Sequence, residues 1–132
     1  MNRFYYTLLG VLCHLTLFSQ NTITLQVNMS EQTVSPNGVH VAGSFQGWNP
    51  STTPMMDMGN GIYAVDVDVA DNTEILFKFI NGNDWPMQES VLSACGANDG
   101  FGAYNRNYMV TTGNSTYGPV CFWKLRKTAE LW

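Results

Sequence analysis

Basic side chains are scarce in this sequence. Six Lys and Arg residues occur among 132 positions, against ten Asp and Glu residues, which gives a formal net charge of −4. The one basic cluster, Lys124, Arg126 and Lys127, lies near the C-terminal end. Because phosphate contacts need clustered Lys and Arg, this composition argues against nucleic acid as a partner.

Residue types that carry catalysis or hold metal ions are also rare. Of two His residues, only His40 lies outside the apolar N-terminal run, and no Gly-x-Ser-x-Gly motif occurs. Nucleophilic catalysis therefore lacks both a base and the turn that would present a serine. Asp57 and Asp99 leave a calcium site open as an alternative, although neither loop has the EF-hand pattern. We expect no enzyme activity, no bound metal and no cofactor.

The N-terminal segment predicts a secretory signal peptide. Arg3 supplies a positive charge, residues 4–18 are mostly apolar, and the small residue Ser19 precedes a polar segment. The run is short for a membrane span and no basic stop-transfer sequence follows it. A buried N-terminal helix is the alternative, but the run lacks an amphipathic period. We predict a signal peptide at residues 1–20 and a mature chain, without a membrane span, that is secreted or at the cell surface.

Export changes the interpretation of the three cysteines. Cys13 would leave with the signal peptide, so that Cys95 and Cys121 remain as an even pair in an oxidising compartment. This pairing predicts a disulfide, which would close a loop of about 26 residues and contribute roughly 3–4 kcal/mol in the chain-entropy model. A metal site is the weaker alternative, because neither thiol has His or Cys companions at ligand spacing.

Helix signals are almost absent after residue 22. Short runs of alternating apolar and polar residues are separated by Gly, Pro, Asn and Asp, which is typical of an antiparallel sandwich. Gly59-Asn60-Gly61 predicts a type I′ hairpin, because Asn-Gly readily adopts positive φ. The positions expected to face the core are Ile23, Leu25, Val27, Met29, Tyr63, Val65, Val67, Val69, Ile75, Phe77 and Phe79.

The outward positions of these runs are expected to be solvated. Asp66 and Asp68 alternate with core positions, so they mark a water-facing strand surface more simply than an acid–base pair. Lys78 is expected to face outward in the same way. We predict a short edge strand at 55–58 and final strands at 107–111 and 118–122. The fold class is all-β, a sandwich of about seven or eight strands over residues 21–123, followed by an irregular tail at 124–132.

Two tryptophans lie on turns that follow strands. Trp48 precedes Asn49-Pro50, and Trp85 precedes Pro86. An indole can stack on the apolar C–H face of a sugar ring for roughly 0.5–1.5 kcal/mol, on the scale of aromatic pairs. Two such platforms with a few exposed hydrogen bonds predict weak binding, with a Kd of roughly tens of micromolar to millimolar. The alternative is that either indole packs beneath a loop.

Two segments around these tryptophans resemble the starch- and glycogen-binding carbohydrate-binding modules. They are Val-Ala-Gly-Ser-Phe-Gln-Gly-Trp-Asn-Pro at 41–50 and Phe-Lys-Phe-Ile-Asn-Gly-Asn-Asp-Trp at 77–85, within a resemblance that spans about residues 22–112. Such modules occur in amylases, glucan branching enzymes and the glycogen-binding region of AMP-activated kinase β subunits. The resemblance implies an early-set, immunoglobulin-like antiparallel sandwich whose tryptophans stack on α-1,4-linked glucose.

The resemblance also implies roles for individual residues. Trp48 and Trp85 would be the stacking platforms, Lys78 a hydroxyl donor, and Asn105 the sugar-binding carboxamide in the family's final loop. The partner would then be an α-glucan polysaccharide, bound at a shallow site without catalysis. The loop that holds Cys95 is longer and richer in Gly than is usual in the family. The alternative is a structural or adhesion module of a larger exported assembly, because similar stand-alone repeats occur in large exported bacterial proteins.

Overall fold

The computed structural model describes residues 19–123. Almost all of the predicted signal peptide, and the whole predicted tail at 124–132, lie outside these residues. Within residues 19–123, no helix has the length and apolar character needed to cross a membrane.

The described part of the chain forms two four-stranded sheets, which confirms the all-β class. In chain order the strands are β1 (Gln20–Asn28), β2 (His40–Gly43), β3 (Met56–Gly59), β4 (Ile62–Ala70), β5 (Thr73–Ile80), β6 (Ala97–Asn98), β7 (Tyr104–Val110) and β8 (Ser115–Cys121). The first sheet has the order β3-β4-β1-β8, and the second has the order β2-β5-β7-β6. Three short 3-10 turns lie between strands, at Ser44–Gln46, Trp85–Met87 and Ser93–Cys95.

The period-two alternation correctly predicted most of the side chains that form the core. In β1, Ile23, Leu25 and Val27 are completely buried, and the residues between them are only partly covered. In β4 and β5 the predicted core positions Val67, Val69, Ile75, Phe77 and Phe79 are buried, whereas Tyr63 and Val65 are only partly buried against the core. The core therefore lies between the two sheets, where the inward faces of β1, β4 and β5 meet.

The turn and the solvated strand face were also predicted correctly. Asn60 and Gly61 have φ angles of 53° and 77°, the left-handed pair that a type I′ turn requires between β3 and β4. Asp66 and Asp68 are exposed and accept hydrogen bonds from the threonine hydroxyls of β1. These carboxylates therefore lie on the water-facing side of the first sheet and form cross-strand pairs there.

The expectation of a wholly antiparallel sandwich was wrong at one edge. β8 pairs with β1 in parallel, with a register shift between Leu25 and Val27. The chain crosses from β7 in the second sheet to β8 in the first, so the direction of β8 is set by that crossing and not by a hairpin. At the irregularity, a side chain at Gly118 would collide with the carbonyl oxygen of Gln26, so the absence of a Cβ permits the close approach.

The strand ends and the cysteine pair also need correction. β7 begins at Tyr104 and β8 at Ser115, each three residues before the predicted strand, and the predicted edge strand at 55–58 is β3. The predicted disulfide is not formed, since Cys95 and Cys121 are both exposed free cysteines. Cys95 lies in a turn beside the edge of the second sheet, and Cys121 ends the edge strand of the first.

Candidate functional site

The turn that carries Trp48 is held by its own polar groups. It follows Gly43 at the end of β2, and the Trp48 N–H donates to the Gly43 carbonyl at 3.0 Å. The Gln46 side chain lies inside the turn, where Nε2 donates to the Asn49 carbonyl at 2.6 Å and Oε1 accepts from the Asn49 N–H at 2.7 Å. These bonds fix the backbone on both sides of the indole.

Trp48 itself has an unusual backbone conformation. Its φ angle is 58°, in the left-handed region that bulky L-residues rarely occupy and that costs roughly 1–2 kcal/mol. Such strain persists only where the surrounding structure imposes it, and it is concentrated at binding and active sites. The turn thus holds the indole in one position at an energetic cost.

A second short turn holds Trp85 beside Trp48. The Asp84 carboxylate accepts the Trp85 N–H at 2.8 Å, and Pro86 follows at a position that needs no backbone donor. The two indole rings have centroids 6.4 Å apart and planes tilted by 35°. Both side chains are half-buried, so the indoles form a neighbouring, inclined pair that remains accessible.

Lys78 lines one cavity together with this pair, and the predicted exposure of its side chain was wrong. In β5, Phe77 pairs with Arg106 of β7, so the next residues along, Lys78 and Asn105, adjoin on the opposite face of the sheet. Lys78 therefore points away from the core, as predicted, but other residues cover it and leave only 6% exposed. Its Nζ donates to Gln88 Oε1 at 3.2 Å. A covered ammonium next to a cavity is a fixed donor, unlike a freely solvated lysine.

Asp99 directly follows β6, whereas Asn105 is the second residue of β7 and does not lie in the loop where the resemblance had placed it. Asp99 Oδ1 accepts the backbone N–H groups of Phe101 at 2.8 Å and Ala103 at 3.0 Å. The Phe101 N–H is the main reason why the pKa of Asp99 lies below its ordinary value of 3.8, and nearby Lys78 adds to the effect. The stabilisation of the loop by ionised Asp99 is therefore present above pH 3.8 and is lost as the pH falls through the lower folded-state pKa.

One shallow cavity joins these side chains. Its volume is about 250 Å³, and it is lined by Trp48, Lys78, Trp85, Gln88, Asp99 and Asn105. The fold thus brings together all four residues that the sequence selected for a binding site. Gln88 and Asp99 were not selected, because a Gln after a turn and an Asp in a Gly-rich loop carry no specific sequence signal.

A buried ion pair supports this face of the sheet from the core side. Arg106 Nε and Nη2 donate to the two carboxylate oxygens of Glu89 at 2.8 and 2.7 Å, and Glu89 Oε1 also accepts the Phe79 N–H at 3.0 Å. Burial alone would lower the pKa of Arg106, but the hydrogen bonds and charge of Glu89 outweigh it and raise that pKa. Glu89 directly follows Gln88, so the ion pair anchors the segment that holds Lys78.

The calcium alternative gains no support from these residues. The Asp57 carboxylate accepts the Gly59 N–H at 2.8 Å, and that of Asp99 is used within its loop. Over residues 19–123, no group of three or more His, Cys, Asp and Glu side chains is arranged to hold a metal ion.

Gly43 offers a test of how tightly the Trp48 turn is held. A Cβ at this position would lie 2.6 Å from the Leu76 carbonyl oxygen and 2.8 Å from Phe77 Cβ. We expect Gly43→Ala to lower the free energy of unfolding by about 3 kcal/mol in urea titrations, because backbone and core atoms must move. Gly38→Ala is the control, since its Cβ would meet nothing within 4 Å and only its positive φ is strained, for about 1 kcal/mol. Equal losses of unfolding free energy in Gly43→Ala and Gly38→Ala would contradict the close packing at Gly43.

Comparison with known proteins gives matches among solved structures. No protein-family model and no curated protein sequence matches the chain. A gamma-CGTase from alkalophilic Bacillus clarkii aligns over 80% of this chain with a TM-score of 0.57 and 25% identity. A family 15 glycoside hydrolase, the glucoamylase from Hypocrea jecorina, aligns over 80% with a TM-score of 0.52 and 16% identity. The CBM25-2 module of a Paenibacillus polymyxa beta/alpha-amylase aligns over 76% of this chain and 85% of its own, with a TM-score of 0.44 and 17% identity.

In its fold, the chain resembles a part of the gamma-CGTase. The chain spans only 15% of the gamma-CGTase and 17% of the glucoamylase. The likeness therefore concerns a small part of each enzyme, and the glucoamylase match bears on the fold alone.

Proposed function

We propose that this chain is a non-catalytic carbohydrate-binding module whose ligand is an α-1,4-glucan such as starch or glycogen. The observation that carries the proposal is the inclined pair Trp48 and Trp85, which shares one accessible cavity with the covered Lys78. The gamma-CGTase likeness supports it, since the fold there occurs as part of an enzyme that its name assigns to glucan chemistry.

The angle between the indoles favours a curved glucan. Two rings tilted by 35° with centroids 6.4 Å apart offer successive sugar rings two planes that are not parallel. An α-1,4-linked chain turns from one glucose to the next, whereas a β-1,4-linked chain stays nearly flat. The pair therefore matches the α-linked chain better, and each stacked ring contributes roughly 0.5–1.5 kcal/mol.

The polar groups of the cavity suit the hydroxyl rim of a sugar. Lys78 is a donor, Asp99 is an acceptor, and the carboxamides of Gln88 and Asn105 offer both. A sugar hydroxyl donates one hydrogen bond and accepts others. A site with both donors and acceptors therefore satisfies it better than a site with only one of the two. In this proposal Lys78 and Asn105 bind the hydroxyls while the indoles bind the ring faces.

The remaining sequence predictions complete the proposal. Residues 1–20 are a signal peptide, 21–123 an immunoglobulin-like module and 124–132 a tail, in a chain exported to the cell surface or medium. A cavity of about 250 Å³ is smaller than the roughly 300–1,000 Å³ usual for ligand sites, which supports weak binding without catalysis.

Affinity electrophoresis tests this function. We expect the mature protein to migrate more slowly in native gels that contain glycogen or amylopectin than in plain gels, because a Kd between tens of micromolar and millimolar suffices for retardation. Bovine serum albumin in the same lanes corrects for sieving. Equal relative mobility in all gels would overturn the proposal.

A structural or adhesion role is the second candidate. It is favoured by Met56 and Met58 on the edge strand β3, which are 71% and 61% exposed and lie on the sheet without the tryptophans. Exposed apolar side chains on an edge strand are suited to contact another protein. Unretarded migration in the glucan gels would leave this role as the better account.

A further inference from the structure

A second cavity adjoins the one that the tryptophans line. Its volume is about 270 Å³, and its walls include Lys78, Gln88, Ser90, Val91, Ala103 and Tyr104. Lys78 and Gln88 line both cavities. The hydrogen bond between their side chains, 3.2 Å long, therefore forms the boundary between two adjoining depressions.

The same two segments build both cavities. The segment from Asp99 to Asn105, which includes the start of β7, contributes its two ends to the first cavity and Ala103 and Tyr104 to the second. The segment after Trp85 passes from Gln88 in the first cavity to Ser90 in the second. A continuous ligand that leaves the indoles across Lys78 would thus remain in contact with the protein.

The wall of the second cavity is held in place before any ligand arrives. Glu89 lies between Gln88 and Ser90, and its carboxylate is fixed by Arg106 and by the Phe79 N–H. On the far side, Ser90 N–H donates to the Trp123 carbonyl at 2.6 Å. Ordering this wall therefore costs little on binding, which favours its use as a preformed subsite.

We propose that the second cavity is a further glucosyl subsite, so that the module binds a glucan chain across Lys78 instead of a single end at the indoles. This extension rests on the proposed function. The cavity is lined by Lys78, Gln88, Ser90 and Tyr104, residues whose polar groups can hydrogen-bond to sugar hydroxyls. Lys78 would then contact two neighbouring sugars, one on each side.

The length dependence of binding tests this subsite. By isothermal titration calorimetry, we expect maltoheptaose to bind about fivefold or more tightly than maltose, since the added hydrogen bonds are worth roughly 0.5–1.5 kcal/mol each. Longer chains also gain from having more binding registers. We therefore take the dissociation constant of maltose divided by that of maltoheptaose, and compare this ratio between wild type and Ala103→Phe. The larger side chain of Ala103→Phe would fill the second cavity.

The ratio is expected to fall at least threefold in Ala103→Phe and to stay unchanged in Ala70→Phe. Ala70 is an exposed residue at the end of β4 in the other sheet, so it controls for an added aromatic. Ser90→Ala, which removes one hydroxyl without adding bulk, should lower the ratio by a smaller factor. An Ala103→Phe ratio equal to that of wild type would overturn the second subsite alone. Failure of both sugars to bind the wild-type protein would overturn the proposed function as well.

Discussion

Trp85→Ala is expected to weaken the binding of maltoheptaose about tenfold, and Trp48→Ala by a similar factor. Each indole supplies one of two stacking planes, and losing one plane removes roughly 1.4 kcal/mol, at the upper end of the stacking scale. The double variant should show no measurable binding at millimolar sugar. Isothermal titration calorimetry measures each dissociation constant, with circular dichroism to show that the sandwich remains folded.

Two matched variants make this result specific. Trp85→Phe keeps a smaller aromatic face and should retain part of the affinity that Trp85→Ala loses. Met58→Ala removes an exposed apolar side chain from β3 on the other sheet and should bind as wild type does. Unchanged affinity in both tryptophan-to-alanine variants would mean that the indoles are not the platforms.

Glu89→Ala is expected to lower the free energy of unfolding by about 3–5 kcal/mol. It would leave the buried Arg106 guanidinium without its carboxylate partner, and breaking one partner of a buried ion pair costs about this much. That loss is a large fraction of the 5–15 kcal/mol typical of a domain. Urea titrations followed by circular dichroism measure it.

The controls separate charge burial from a general effect of losing a carboxylate. Glu74→Ala removes an exposed carboxylate from β5 that accepts only the Asn107 side chain, and it should change stability by less than about 0.5 kcal/mol. Replacing both partners, as Glu89→Leu with Arg106→Met, should cost less than Glu89→Ala because no buried charge remains. A loss below about 1 kcal/mol in Glu89→Ala would contradict a structural role for the pair.

The strands were predictable because their period is local. Ile23, Leu25 and Val27 alternate with polar residues, and one face of β1 had to be buried whatever its neighbours. The direction of β8 was not predictable, because it depends on how the chain crosses between sheets after β7. The free state of Cys95 and Cys121 also differs from the prediction. That prediction used only the even number of cysteines, which carries no information on the distance between the thiols.

Site residues were predictable from the sequence where their immediate neighbours mark a surface turn. A tryptophan beside Asn49-Pro50 is one such case, and Trp85 beside Pro86 is another. The burial of Lys78 could not be predicted, because its cover comes from Gln88 and from a loop about twenty residues away in sequence. Nor could the Glu89–Arg106 pair, since charged residues are usually exposed and nothing in the chain marks these two as partners.

The indole N–H signals of Trp48 and Trp85 test the central claim most directly. In ¹H–¹⁵N correlation spectra of the wild-type protein, assigned with the two Trp→Ala variants, we predict that both signals shift progressively and saturably as maltoheptaose is added to millimolar concentration. The same concentration of cellohexaose, a β-1,4-linked control, should leave them in place. Indole signals of Trp48 and Trp85 that stay unchanged with maltoheptaose would contradict an α-glucan site at this pair.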